Sequence, residues 1–142
     1  MTRVSFYIFS PERSDQDSFI CRLLERIYDD GKRAYVHQPD ATARQQLDGA
    51  LWTFRQGSFL PHDLAETDRD SAIVLGGGAP LPERREVLLN LEFPAAIPPD
   101  FFSSFERTLE FVVGDEAQRA IARQRYSFYR DRGYPLETFN IA

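Results

Sequence analysis

Apolar residues follow strand-like and then helix-like spacing at the start of the chain. The stretch Arg3–Phe9 is rich in β-branched and aromatic residues, which predicts a first strand. Apolar residues then recur at helical spacing over Phe19–Ile27, and Gly31 supplies a stop. Ser14 and Asp17, three residues apart, predict a capping box at the start of this helix.

A second strand and helix follow directly. Lys32–His37 predicts the strand, and Asp40 predicts the N-cap of a helix that runs to Leu51. Leu47 and Leu51 share one face of that helix. A strand, helix, strand, helix order requires a crossover between parallel strands.

The rest of the chain continues the alternation of strands, turns and helices. Strands are expected at Ser71–Leu75, Glu86–Leu91 and Thr108–Val113 (the last strand), and helices at Phe101–Phe105 and Asp115–Arg132. Residues 56–62 are expected to form a turn followed by a short extended piece, residues 66–70 a charged loop and residues 76–82 a turn. Gly133 and Pro135 end the final helix. The pattern predicts an α/β protein, a single three-layer domain over residues 1–142 with a small, mostly parallel sheet.

Composition limits the classes of protein that fit this pattern. The 142 residues are 42% hydrophobic, which suffices for one core, and no apolar run approaches the roughly 18 residues of a membrane span. Seventeen basic and 22 acidic residues give a net charge of −5, which disfavours wholesale coating of nucleic acid. The single cysteine, Cys21, is expected off the apolar stripe of the first helix, as an inert thiol. A reduced, cytoplasmic, soluble protein is expected.

Residues that could carry catalysis do not group into a site. The glycine run Gly76–Gly78 lacks the spacing and the lysine of a phosphate loop, and the turn Ser10–Asp15 contains no glycine. His37 and His62 stand in no metal-binding motif. No cofactor and no metal are therefore predicted.

The final helix carries the most informative pattern. At about 100° per residue, four of its residues share an arc of roughly 60°: Arg119, Arg123, Tyr126 and Arg130. This face is either an ordinary solvated surface or a site for a small anionic partner. The opposite side, expected to face the core, carries Ala117, Ile121 and Phe128, while Arg125 and Arg132 are expected to add surface charge.

A second segment places aromatic residues in and after the second helix. Trp52 ends that helix, and Phe59 and Pro61 follow in a loop. The segment forms either a small hydrophobic cluster under the loop or a shallow apolar pocket. The pattern alone does not place it beside the last helix.

Together these segments resemble the chi subunit of bacterial DNA polymerase III. The resemblance covers essentially the whole chain and rests on Leu51-Trp52 followed by Ser58-Phe-Leu-Pro-His62, and on Ala122-Arg-Gln-Arg-Tyr-Ser-Phe-Tyr-Arg130. It implies a fold similar to nucleotide-binding domains but without a phosphate loop. It also implies an adaptor rather than an enzyme, with two protein partners. These are the acidic C-terminal tail of single-stranded DNA-binding protein (SSB) and the psi subunit of the polymerase, so DNA is met mainly through SSB.

The resemblance also implies a site for that tail. The matching positions are Arg119, Arg123, Tyr126, Arg130, Val112, Trp52, Phe59 and Pro61. Arg123 is assigned to the terminal carboxylate, because a planar guanidinium grips both oxygens. Tyr126 with one of the loop residues would wall an apolar slot. Ser127 stands where better-known relatives carry a lysine.

Two other functions fit the same pattern and stay open at this point. One is a degenerate nucleotide-binding or NTPase domain, on analogy of fold alone. The other is direct binding of single-stranded DNA through the basic face and the aromatic residues.

Overall fold

The computed structural model describes residues 1–55, 59–78 and 80–141. Residues 56–58 of the segment expected at 56–62, and Ala79 of the turn expected at 76–82, lie outside the described residues. Within these ranges no helix is both long and apolar enough to cross a membrane. The strands are β1 (Arg3–Phe9), β2 (Ala34–His37), β3 (Asp63–Leu64), β4 (Ile73–Gly76), β5 (Val87–Asn90), β6 (Arg107–Val112) and β7 (Leu136–Ile141). The helices are α1 (Gln16–Asp29), α2 (Ala41–Thr53), α3 (Glu116–Asp131) and a short 3-10 helix (Phe102–Ser104).

All seven described strands join one sheet in the order β3-β4-β2-β5-β6-β1-β7. Every pairing between neighbouring strands is parallel. Helices α1 and α2 pack on one face of the sheet, and α3 with the 3-10 helix packs on the other. The expected α/β arrangement of three layers around a mostly parallel sheet is confirmed.

Strand β1 shows how the two faces arise from the sequence. Side chains alternate along a strand, so Val4 and Phe6 point to the α3 face. Tyr7 and Phe9 point to the face covered by α1 and α2. Because both faces are covered, β1 is apolar at nearly every position, as expected for a strand inside a parallel sheet.

The chain ends in a strand that the sequence pattern did not predict. The strand expected at Thr108–Val113 is present as β6, but it is not the last one, because β7 pairs with β1 from Val4↔Leu136 to Phe9↔Ile141. Most β7 side chains are exposed, since it forms an edge of the sheet. Its mixed polar composition gives a weak strand signal.

Two expectations for α1 are wrong, and one for α2 is confirmed. Helix α1 begins at Gln16 with Asp15 as its N-cap and no side-chain cap bond, so the expected capping box does not form. Cys21 is fully buried, because α1 packs against both the sheet and α2 and so buries a wide stripe. Asp40 caps α2 as expected, accepting a hydrogen bond from the Ala43 amide at 3.0 Å.

Candidate functional site

Helix α3 is fixed at its start by local hydrogen bonds. The Asp115 carboxylate accepts from the Gln118 amide at 3.1 Å, and the Gln118 side chain accepts from the Asp115 amide at 3.0 Å. This reciprocal capping box satisfies two of the amides that a helix leaves free at its N-terminus. Gly133, with φ of +79°, follows the helix and ends it.

The face that α3 turns to the sheet differs from the expected one. Ala122, Arg125 and Tyr129 are its buried residues. Ala117 is exposed, and Ile121 and Phe128 are only half-buried. The hydrophobic pattern misplaced this face because a buried arginine lies at its centre.

Buried polar groups anchor that face to strand β6. The Glu110 carboxylate accepts hydrogen bonds from Arg125 (2.8 Å), Tyr129 (2.7 Å) and Asn90 (2.8 Å). Arg125 also donates to the carbonyl oxygen of Ala95 at 2.6 Å. Burial, and then the neighbouring Glu110 carboxylate, raise the pKa of Tyr129 far above its usual range. The cluster fixes the position of α3 on the sheet.

Between α3 and the edge of the sheet lies an apolar depression of about 210 Å³, which we call the α3 groove. Its lining residues are Phe6, Ile8, Val112, Arg119, Ala122, Arg123, Tyr126 and Thr138. Four of them were singled out from the sequence, which gives the groove its interest as a binding site.

Three neighbouring strands form the floor of the α3 groove. Phe6 of β1 is in register with Thr138 of β7, and Ile8 of β1 is in register with Val112 of β6. Above this floor, Ala122 is too small to fill the space between its neighbours on the helix. The groove is therefore a hollow of aliphatic and aromatic side chains that suits one apolar side chain of a ligand.

Arginine and tyrosine side chains form the helix side of this hollow. The Tyr126 ring packs edge-on against Phe6, with ring centroids 5.3 Å apart. Arg119 reaches over the end of β1 and donates to the Phe9 carbonyl oxygen at 2.5 Å. Arg123 is exposed and forms an ion pair with Glu116. The groove thus has cations at its rim and an aromatic wall.

The arginine-rich face lies beside the core face rather than opposite it. At about 100° per residue, the Arg119–Arg130 stripe is centred about 100° from the Ala122–Tyr129 stripe. Because the two stripes are only about 100° apart, one edge of the arginine-rich stripe lies against the sheet. The groove forms along this contact.

Two arginines expected to extend the surface charge behave differently from each other. Arg125 is buried in the Glu110 cluster and adds nothing to the surface. Arg132 lies over the Phe128 ring, 3.5 Å from its centroid. Arg130 is exposed and lies 3.3 Å from Asp131. The positive surface of α3 is therefore smaller than the sequence suggested.

The loop-side residues of the expected slot lie elsewhere in the molecule. Trp52 packs against His62, with ring centroids 4.6 Å apart, and lies 6.1 Å from Phe59. This segment packs with Leu51 and Leu60 on the sheet face opposite α3. The expectation that Trp52, Phe59 or Pro61 walls the same slot as Tyr126 is wrong, because the sheet separates them.

Trp52 and Phe59 form a second exposed surface, the aromatic patch. The side chains are 56% and 71% exposed, respectively. Beneath them, His62 is buried and its Nδ1 lies 2.7 Å from the Leu60 carbonyl oxygen. Large contiguous patches of exposed apolar surface mark contact sites for other proteins, so this patch is a candidate for one.

The remaining polar groups of the described ranges do not assemble a metal site. No cluster of three or more metal-ligating side chains occurs there. His37 is buried with its Nε2 2.7 Å from Glu92 Oε1, a structural contact at the end of β2. Burial, with a smaller contribution from Asp17, raises the pKa of the Cys21 thiol to about 12. Gly76 is the last residue of β4, Gly77 and Gly78 follow it, and the next element of the described residues is strand β5 rather than a helix.

A larger depression of about 600 Å³ lies at the opposite end of the sheet, near the start of β1. It mixes cations and anions, and Lys32 lies 3.7 Å from Glu86. Its lining mixes charged and apolar side chains, and it lacks the excess of positive charge that the α3 groove offers. The α3 groove is the better candidate for an anionic ligand.

The sequence of this chain matches one family of known proteins along nearly its whole length. The family model described as "DNA polymerase III chi subunit, HolC" matches residues 1–137. The chain belongs to this family. It is therefore a chi subunit of DNA polymerase III, which is an accessory subunit of the polymerase. This membership places the protein in DNA replication.

Individual relatives in the chi family agree along nearly the whole chain. The chi subunit of Pseudomonas aeruginosa is 42% identical over 142 residues, covering 99% of this chain and 98% of the relative. That of Escherichia coli is 29% identical over 153 residues, covering 97% of each. That of Haemophilus influenzae is 30% identical over 128 residues, covering 88% and 87%.

Four lining residues of the groove in this chi subunit were not assigned to the site from the sequence: Phe6, Ile8, Ala122 and Thr138. Ala122 was noted only as part of the motif that carries the resemblance. Phe6 and Ile8 read only as core residues of a strand, and Thr138 lies in the strand that was not predicted. The alternation along β1 places Phe6 and Ile8 on one face, but only the partner strand shows which helix that face meets.

Proposed function

We propose that this chi subunit is a non-catalytic adaptor that binds the acidic C-terminal tail of SSB in the α3 groove. Membership of the chi family supplies the setting of DNA polymerase III. The observation that supports the tail as ligand is an apolar hollow with arginines at its rim. A peptide that ends in an aromatic residue and a free carboxylate presents the complementary groups.

Each part of such a tail matches a part of the groove. The terminal aromatic ring enters the hollow between Tyr126 and Val112, where its burial is favourable. The guanidinium of Arg123 binds the terminal carboxylate. Aspartates earlier in the tail meet Arg119 and Arg130. Arg119 can bind them because only some of its five N–H donors are used on backbone oxygens.

The aromatic patch is the proposed contact for the psi subunit. Trp52 and Phe59, with Pro61 beside them, lie on the sheet face opposite α3, so both partners can bind together. Large aromatic side chains supply much of the binding energy in protein interfaces. The protein then links SSB on single-stranded DNA to the clamp-loader complex of the polymerase, and its own contact with DNA is mainly indirect.

The tail site is tested by calorimetry with a synthetic Asp-Asp-Asp-Ala-Phe peptide that carries a free carboxylate. A micromolar dissociation constant is expected, equal to about −8 kcal/mol. The Arg123→Ala variant should bind at least tenfold more weakly, because it loses a charged hydrogen bond worth about 1.5–3 kcal/mol. Added salt should weaken binding to the wild-type protein, since the rim charges are exposed.

The matched control removes an arginine far from the groove. Arg69 is exposed in the turn before β4, and Arg69→Ala makes the same change in net charge. Equal affinity losses in the two variants would contradict the assignment of Arg123 to the carboxylate. A pull-down should also retain full-length SSB and lose SSB that lacks its last residues.

A further inference from the structure

The Arg123 side chain already has a carboxylate partner within the protein itself. Glu116 in the first turn of α3 accepts a hydrogen bond from Arg123 Nη2, seven residues further along the helix. Seven residues span about 10.5 Å along a helix, so both side chains must extend along its surface to meet. Glu116 thus engages the guanidinium that the proposed function assigns to the terminal carboxylate of a ligand.

The pair is built so that it can open without damage to the fold. The Glu116 and Arg123 side chains are 78% and 64% exposed, respectively. Breaking the pair therefore leaves two solvated charges and no buried, unsatisfied group. Arg119 is less free to exchange partners, because its guanidinium donates hydrogen bonds to the backbone oxygens of Phe9 and Gly114.

We propose that Glu116 is an internal competitor for Arg123 that sets the affinity and selectivity of the α3 groove. This inference rests on the proposed function. A peptide with a free terminal carboxylate replaces the Arg123–Glu116 ion pair with its own. Its binding therefore gains only the difference in free energy between the two ion pairs. A peptide with an amidated end cannot replace Glu116, so Arg123 keeps its internal partner.

The size of the effect follows from the exposure of the pair. Exposed ion pairs contribute little, and removing this one should strengthen binding of a free carboxylate by about two- to fivefold. The amidated peptide should gain nothing, because it does not compete with Glu116. Discrimination between the two peptides should therefore increase when Glu116 is removed.

The experiment is calorimetry of the Asp-Asp-Asp-Ala-Phe peptide and of its amidated form against three proteins. These are the wild type, Glu116→Gln and Glu116→Asp. The Asp variant keeps the charge but shortens the reach by one methylene, so it separates loss of the ion pair from loss of a negative charge. Both variants should bind the free acid more tightly and the amide unchanged, with the larger gain in Glu116→Gln.

Two further proteins complete the design. In an Arg123→Ala background, Glu116→Gln should no longer change the affinity for the free acid, because the competition has no target. Glu83→Gln removes an exposed acid elsewhere and should leave both affinities unchanged. Thermal unfolding of each variant checks that α3 is intact, since Glu116 also lies in the favourable first turn of the helix.

The outcomes separate the competitor from the tail site itself. If the wild type does not bind the free acid, the proposed function fails. If Arg123→Ala weakens binding while both Glu116 variants bind like the wild type, the competitor inference alone is overturned. Equal tightening of both peptides by Glu116→Gln, with none by Glu116→Asp, would also overturn it, because that result reports only a change in the local field.

Discussion

Arginines of helix α3 play different roles although the sequence presents them in one repetitive pattern. Arg119 is tied to backbone carbonyl oxygens, Arg123 pairs with an exposed carboxylate, and Arg125 is buried against Glu110. Helical spacing correctly placed Arg119 and Arg123 on one side. It could not show that Arg125 is buried, because a polar pattern does not reveal the buried partner that compensates its charge.

Cys21 provides a prediction of pH dependence at the residue scale. Burial raises the pKa of its thiol from 9.0 to about 12. A group with a raised pKa in the folded state stabilises the fold fully below its unfolded pKa, and this stabilisation is lost as pH rises from 9 towards 12. Urea unfolding should show a loss of about 1 kcal/mol by pH 10 from this group alone.

The Cys21→Ala variant isolates that contribution from other titrating groups. Its free energy of unfolding should fall less between pH 8 and pH 10 than that of the wild type. The comparison uses the slope with pH, so any cavity left by the smaller side chain cancels. Parallel slopes in the two proteins would show that the thiol does not resist ionisation in the folded state.

At the scale of elements, the contact between α3 and β6 depends on a buried ion pair. Arg125 and Glu110 are each about 2% exposed or less, and Tyr129 and Asn90 complete the hydrogen bonds of the carboxylate. A buried carboxylate with three donors is well compensated. The cluster sets the rotation of α3 and therefore the position of the groove beside it.

Removing one partner of the Arg125–Glu110 pair should lower the free energy of unfolding substantially. Glu110→Gln leaves the Arg125 charge buried without its counter-ion, and we expect a loss of about 3–5 kcal/mol in the free energy of unfolding. Asp131→Asn is the matched control, since it removes an exposed ion pair with Arg130 and should cost less than about 1 kcal/mol. Equal, small losses in urea unfolding would show that the cluster does not anchor the helix.

The sequence pattern predicted most elements but not the one that completes the groove. Strands with continuous apolar runs, such as β4 and β5, and the capped helices α2 and α3 were all predicted. Strand β7 was missed because it is an edge strand, with four of its six residues exposed and polar positions between apolar ones. Thr138, which closes the groove, could not be assigned without it.

At the scale of the whole molecule, the sheet separates two surfaces with different chemistry. The α3 groove combines an apolar floor with arginines, while the aromatic patch of Trp52 and Phe59 lies on the opposite face. The sequence pattern identified residues of both, and only the resemblance to the chi family implied that they form one site. Only the topology shows that α2 and α3 pack on opposite faces, because each crossover direction depends on the order of the strands.

This separation predicts that the two proposed contacts respond independently to substitution. Trp52→Ala should weaken binding of the psi subunit from the same bacterium at least tenfold, because a central aromatic residue is lost from that interface. It should leave the affinity for the Asp-Asp-Asp-Ala-Phe peptide unchanged. Arg123→Ala should show the reverse, with psi binding retained and peptide binding weakened.

The decisive measurement is a titration of the peptide into the protein already saturated with psi. Because the groove and the patch share no lining residue, the peptide affinity should equal that of the protein alone, and the three components should form one complex. If psi blocks the peptide, or if Trp52→Ala weakens the peptide as much as Arg123→Ala does, the two contacts overlap. Independence would instead mean that the sheet holds two docking surfaces apart, which lets one small subunit bind SSB and the polymerase assembly together.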